Sequence, residues 1–119
     1  MPRPQGFSRE ERLRKTGDFD RVFRAGRRRR GELLALCYAR NGLGHSRLGI
    51  ALRRGWGTAV ARNRAKRLVR EAFRTRKGEL PKGLDIVVIP HAGRAELGMG
   101  AIGDELVRLL GGASEGARR

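Results

Sequence analysis

The stretch Leu84–Pro90, LDIVVIP, constrains the fold more than any other part of the chain. Beyond Asp85 it is continuously apolar and rich in β-branched residues. That pattern predicts a strand buried on both faces, in a central position of a sheet, rather than one alternating between core and water. With 119 residues available, the sheet and the helices that cover it form one domain, 1–119, with a modest core spanning about 8–110.

The segment TAVARNRAKRLVREAFR begins at Thr58. Ala61, Ala65, Leu68, Val69, Ala72 and Phe73 recur at spacings of three and four, which predicts an amphipathic helix from a Thr58 cap to about Arg76. Its small alanines let the helix lie close on a sheet. Earlier, TGDFDRVFRAG predicts a short helix over about 17–25, with Phe19 and Phe23 on one face and Gly26 at its C-terminal stop. Ser8 and Glu11 have the spacing of a capping box. The residues Glu32–Ala39 read as a strand, with Leu34, Leu36 and Tyr38 on one side and Leu33, Ala35 and Cys37 on the other. Asn41–His45 is turn chemistry that predicts a hairpin to a returning strand at Ser46–Arg54. Arg27–Arg30 reads as a basic loop. A last helix is expected over about 101–110, with Ile102, Leu106 and Leu109 on one face. The class is α+β.

Charge narrows the partners. The net charge is +16, and a potential that positive attracts polyanions, with nucleic acid first and an anionic membrane surface second. Of the 28 basic residues only Lys15, Lys66, Lys77 and Lys82 are lysines. Two readings of the arginine excess stand side by side: guanidinium forks that grip phosphates, or a genome-wide compositional bias. The long helix collects Arg62, Asn63, Lys66, Arg67, Arg70 and Arg74 opposite its apolar stripe. Like charges at i,i+4 repel, and Arg62 and Arg64 stand in the first turn, where the helix dipole disfavours cations. The free N–H groups of that turn favour a phosphate. An external polyanion therefore accounts for the pattern better than a plain solvated face.

Other chemistry is poorly represented. No stretch is long and apolar enough to span a bilayer, and MPRPQGFSREERLRK has no apolar run of the kind a signal peptide needs. The single cysteine, Cys37, fits a reducing cytoplasm and an inert buried thiol. No HExxH, CxxC, GxxxxGK[ST] or GxSxG pattern is present, so any catalysis would need an active site supplied by another molecule. Asp85 at the head of the best strand reads as a capping residue. Phe19 and Phe23 read either as core or as platforms on which bases stack. Trp56, between two glycines, reads as a plug at the helix–sheet junction.

At this point the sequence resembles a family. AVARNRAKRLVREAFR is similar to the signature of the bacterial ribonuclease P protein subunit, an Arg-Asn-Arg core followed by basic helical positions and an aromatic. LRKTGDFDRVFRAG resembles the family's N-terminal segment with its paired phenylalanines. SRLGIALRRGWGTAV and PKGLDIVVIP resemble the segments on either side of the signature. Four segments in order and spacing make the resemblance specific from about 12 to 110.

The resemblance implies a twisted mixed β-sheet packed with helices, a ribosomal-protein-like sandwich containing a left-handed βαβ crossover. Handedness statistics alone would predict a right-handed one. It implies a subunit that binds the catalytic RNA of ribonuclease P and the single-stranded 5′ leader of precursor tRNA. The RNA subunit performs phosphodiester hydrolysis with Mg²⁺, and the protein carries no small-molecule cofactor and no membrane contact. Arg53, Arg54, Arg62, Asn63, Arg64, Lys66, Arg67 and Arg70 match positions that contact RNA. Phe19, Phe23, Ala35 and Cys37 match positions lining the leader cleft, although Ala35 and Cys37 are smaller than the usual occupants. Arg27–Arg30 matches no assigned family position. The alternative from charge, size and fold is a structural ribosomal protein that binds rRNA without catalysis.

Overall fold

Residues Leu84–Pro90 form a strand with the expected bounds, and the sheet is arranged around it. The computed structural model describes residues 9–91 and 98–111. A 3-10 turn at Arg9–Glu11 leads to α1 (Thr16–Ala25), β1 (Arg27–Arg30), β2 (Leu34–Arg40), β3 (Arg47–Ile50) and α2 (Ala59–Thr75). A second 3-10 turn at Lys77–Glu79 precedes β4 (Leu84–Pro90) and α3 (Met99–Leu110). Ser8 of the expected capping box and the tail beyond 111 lie outside the described residues.

Among the described residues the strands form one sheet in the order β1-β2-β4-β3. β1 pairs antiparallel with β2, and β2 antiparallel with β4, while β3 runs parallel to β4. The hairpin expected across Asn41–His45 therefore does not form, because β4 lies between β2 and β3. The physical reason is burial: β4 is apolar on both faces and takes a central place, leaving the shorter β3, which begins with Arg47, at the edge. A side chain rather than strand pairing closes the Asn41–His45 connection. Asn41 Oδ1 accepts the Leu43 amide at 2.7 Å, and Asn41 Nδ2 donates to the His45 carbonyl at 3.1 Å.

A second correction concerns Arg27–Arg30, which is the edge strand β1 and not a loop. Its register places Arg28 opposite Cys37 and Arg30 opposite Ala35. Charge is tolerated on a sheet edge, where side chains reach water and discourage further strand addition. α1 starts one residue earlier than expected, and Gly26 ends it with extended backbone (φ −85°, ψ 172°) rather than a left-handed turn.

Helices cover both faces of the sheet. On one, Leu36, Tyr38, Leu48, Ile86 and Val88 pack against Val69 and Phe73 of α2 and Ile102 and Leu106 of α3. On the other, Val22 of α1 joins Leu13, Cys37 and Val87, with Phe19 and Phe23 packed against them. Trp56 is the expected plug: it is buried, and its Nε1 donates to the Pro90 carbonyl at 3.0 Å.

Of the buried carboxylates, Asp85 and Glu105 tie separate elements together. Asp85 is not a capping residue. It accepts Arg47 Nε at 2.8 Å, Arg47 Nη2 at 2.6 Å, Asn41 Nδ2 at 3.0 Å and Arg21 Nη2. Burial pushes the Asp85 carboxyl up, but the hydrogen bonds from Arg47 and Asn41, with the charges of Arg47 and Arg21, outweigh it and hold it below its ordinary value. Glu105 of α3 accepts the backbone amides of Glu32, Leu33 and Leu34 at 3.2, 2.8 and 2.9 Å. It thereby grips the β1–β2 turn. Gly31 permits this approach, since a Cβ there would lie 2.4 Å from the Glu105 carboxyl.

Candidate nucleic-acid interface

The basic helix forms as its pattern requires. Thr58 Oγ1 accepts the Ala61 amide at 3.1 Å and caps α2. Ala65, Val69, Ala72 and Phe73 are buried. Asn63, Arg64 and Arg67 are exposed, and Arg62, Lys66 and Arg70 are partly so. Among the described residues none of these cations has a carboxylate partner. The C-terminal part of the helix differs: Arg74 pairs with Glu71 at 2.8 Å, and Arg76 with Glu79 at 2.7 Å and Asp104 at 2.6 Å. The first turn of α2 carries no acidic residue. Positive charge is thus left unneutralised over the segment Arg62–Arg70 and balanced after it. Burial, and then the charge of Arg12, hold the Arg70 guanidinium below its ordinary value. An anion placed there offsets both effects.

Phe19 lies beside this charge. A cavity of about 150 Å³ is lined by Phe19 and Gly49 together with Arg12, Arg14, Lys66 and Arg70. The Phe19 ring lies directly on β3, where a Cβ on Gly49 would stand 2.6 Å from its Cζ. The ring is partly exposed, as is Phe23. Neither is a closed core residue and neither stands free of the second core. One side of each ring is packed and part of it remains accessible.

Across the sheet, a second cavity of about 400 Å³ is lined by Ala35, Cys37, Arg53 and Ile89 with Arg28 and Arg30. Ala35 is partly exposed, whereas Cys37 is 1% exposed. Burial pushes the Cys37 thiol up, against the opposing charge of Arg28. It is an inert part of the cavity wall. Arg53 and Arg54 are exposed in the turn before α2.

The site residues expected from sequence therefore separate into three groups. Lys66 and Arg70 share a cavity with Phe19. Arg53, Ala35 and Cys37 share the other. Arg54, Arg62, Asn63, Arg64 and Arg67 line no described cavity, and Phe23 packs against the second core. Sequence reasoning missed Arg12, Arg14, Arg28 and Arg30. Arg12 and Arg14 flank the buried Leu13, so alternation about an apolar residue was the available signal.

Among the described residues no three His, Cys, Asp or Glu side chains cluster in a way that could hold a metal ion. Asp85 is committed to arginines and Glu105 to backbone amides. Among the same residues no helix is long and apolar enough to cross a membrane.

Comparison with known proteins places this architecture. The profile of the family described as Ribonuclease P matches residues 7–114. The ribonuclease P protein component of Thermotoga petrophila is 43% identical over 110 residues, covering 89% of this chain and 94% of that one. The solved RNase P protein from Thermotoga maritima superposes with a TM-score of 0.76 at 40% identity, covering 84% of this chain and 94% of the other. The Staphylococcus aureus RNase P protein gives a TM-score of 0.74 at 30% identity, over 87% and 94% of the two chains.

Proposed function

Because this chain belongs to the family of ribonuclease P protein components, we propose that the unpaired cations of α2 hold RNA phosphates while the surface beside α1 holds the single-stranded 5′ leader of precursor tRNA. The chain is the accessory subunit of an endoribonuclease, and its partner is the RNase P RNA.

The observation that carries the proposal is the cavity shared by Phe19, Lys66 and Arg70. A partly exposed aromatic face beside unneutralised cations is what a single strand needs. Bases stack on the ring for about 1–3 kcal/mol each while phosphates meet the charges. Arg62, Asn63, Arg64 and Arg67, on the outer surface of α2, face the RNA subunit. Neutralisation there removes the repulsion that the isolated helix carries. Phe23 extends the packed surface behind Phe19.

In this reading Mg²⁺ is held by phosphates of the RNA subunit and of the substrate. Among the described residues no cluster of carboxylates fits that role, and no proton transfer is assigned to this chain's side chains. Its contribution is positional: it holds the leader on one side of the scissile phosphate and fixes precursor tRNA on the RNA. The buried, unpaired thiol of Cys37 suits a reducing cytoplasm.

Reconstitution tests the leader assignment. The chain is combined with a bacterial RNase P RNA at low Mg²⁺, and binding of precursor tRNA is compared with that of mature tRNA. The chain should strengthen precursor binding selectively and accelerate cleavage. Equal strengthening for both tRNAs would remove the leader from the reading and leave a chain that only stabilises the RNA.

A further inference from the structure

The tetra-arginine strand has no role in the reading above, and its geometry gives it one. Residues directly opposite in an antiparallel pair share a face of the sheet. Arg28 faces Cys37 and Arg30 faces Ala35 across the β1–β2 ladder. Cys37 packs with Val22 of α1. Arg28 and Arg30 therefore belong to the α1 face. Arg27 and Arg29 belong to the other, where the Arg29 guanidinium lies 5.9 Å from the Tyr38 ring centroid.

We infer that Arg28 and Arg30, with Arg53, form a second phosphate grip for the single-stranded leader, upstream of the nucleotides that lie beside Phe19. Four observations carry it. The three arginines line one cavity of about 400 Å³. Ala35 and Cys37 give that cavity a low floor, leaving depth that bulkier residues would fill. Among the described residues Arg28 and Arg30 have no carboxylate partner, so their charge is unneutralised. The strand that carries them is held rigidly from behind. Glu105 grips the turn amides, and the His91 ring nitrogen Nε2 lies 3.0 Å from the Gly31 carbonyl.

Sheet order gives the direction. Phe19 packs on Gly49 of β3, and β1 stands at the opposite edge, three strand spacings or about 14 Å away. A strand of RNA that enters beside α2 and Phe19 reaches β1 farther along its length, beyond the nucleotide that meets Phe19. Among the described residues no Phe, Tyr or Trp lines this second cavity, so the arginines grip phosphate and not base. The grip is salt-sensitive and indifferent to leader sequence.

This inference rests on the leader reading, and a leader-length series separates their failures. Holoenzyme carrying Arg28→Gln and Arg30→Gln is compared with wild type on precursor tRNAs of graded leader length. Each is measured across a salt titration, and again with single leader phosphates replaced by neutral methylphosphonates. Wild type should gain affinity with length up to the cavity and lose it when an upstream phosphate is neutralised. The variant should gain less at the long end. It should also be insensitive to that same neutral phosphate, with a salt slope lower by about 0.7 for each phosphate it no longer holds. Arg28→Lys with Arg30→Lys should recover most of the affinity, which shows that charge and not fold was removed. A wild type without length dependence would overturn the leader reading and this inference with it. Length dependence that is identical in wild type and variant would overturn this inference alone. So would a defect confined to binding of the RNA subunit without substrate, since the arginines would then hold that RNA and not the leader.

Discussion

Glu105 Oε2 accepts the backbone amide of Leu34 at 2.9 Å, so α3 fixes the first residue of β2. The same oxygen takes the Leu33 amide and its partner oxygen the Glu32 amide, while Arg108 covers the carboxylate from outside. A buried carboxylate in this position organises the arginine strand without touching an arginine of it.

Glu105→Ala should therefore destabilise the fold by about 3 kcal/mol or more, because three amides lose their acceptor and at least one remains shut away from water. Glu105→Gln should cost less, since its carbonyl oxygen still accepts. Denaturant unfolding gives the magnitudes. Amide hydrogen exchange at Leu33 and Leu34 should quicken in the alanine variant before the centre of the sheet does. Unchanged exchange there would show that the turn is held by strand pairing alone.

Asp85 sets an acid limit. Its native carboxyl lies below the ordinary value, so on acidification the unfolded chain takes up its proton first. The stabilisation is complete above the unfolded value of about 3.9 and is lost as pH falls through the lower native one. Asp85→Asn should cost about 2–3 kcal/mol at neutral pH, less than a fully enclosed pair because Arg21 and Arg47 reach solvent. Unfolding midpoints of the two proteins should converge in strong acid. A gap that persists undiminished would assign the destabilisation to packing and not to charge.

Arg62→Ala and Arg67→Ala should leave the melting temperature nearly unchanged, since neither side chain is buried and neither has an ion-pair partner among the described residues. Binding of the RNase P RNA should weaken, and its salt slope should fall by about 0.7–1 for each phosphate released. A constant slope with a lowered melting temperature would make these arginines structural.

Phe19→Ala and Phe23→Ala should fall short of the ~3–5 kcal/mol cost of emptying a closed core, because each ring is packed on one side only. A destabilisation nearer about 1–3 kcal/mol, below that range, is expected for Phe19, which covers Gly49. Long-leader substrate should also bind more weakly by about 1–3 kcal/mol per stacked base, and single-nucleotide-leader substrate less so. Equal weakening on both substrates would return the two rings to the core.

The parts of this fold that were legible in sequence are those whose patterns are local. The place of β4 follows from the apolar run beyond Asp85, and α2 from its stripe and its threonine cap. Strand partners were not legible, because the choice between a β2–β3 hairpin and insertion of β4 depends on which strand must hide both faces. β1 was concealed by its charge, which erases the apolar alternation by which strands are read. Glu105 did carry a signal. It stands between Ile102 and Leu109 at helical spacing, and an acidic residue on an apolar stripe implies a buried partner. The basic face of α2 was legible as an exposed, charged surface, but its shared cavity with Phe19 was not. That cavity is made by α1 and β3 approaching from separate parts of the chain.

The sheet order also governs when this molecule can fold. β2 and β3 are made early and each needs β4 as neighbour, yet β4 is the last strand of the sheet to be synthesised. Until Pro90 has left the ribosome, only the β1–β2 ladder has both its members. Closing the sheet then joins segments far apart in sequence, an entropic cost that slows folding relative to a helical protein of similar length. A nascent chain ending before Leu84 would display the apolar stripe of α2 with its sheet unassembled. In that interval the net charge of +16 opposes association of such intermediates.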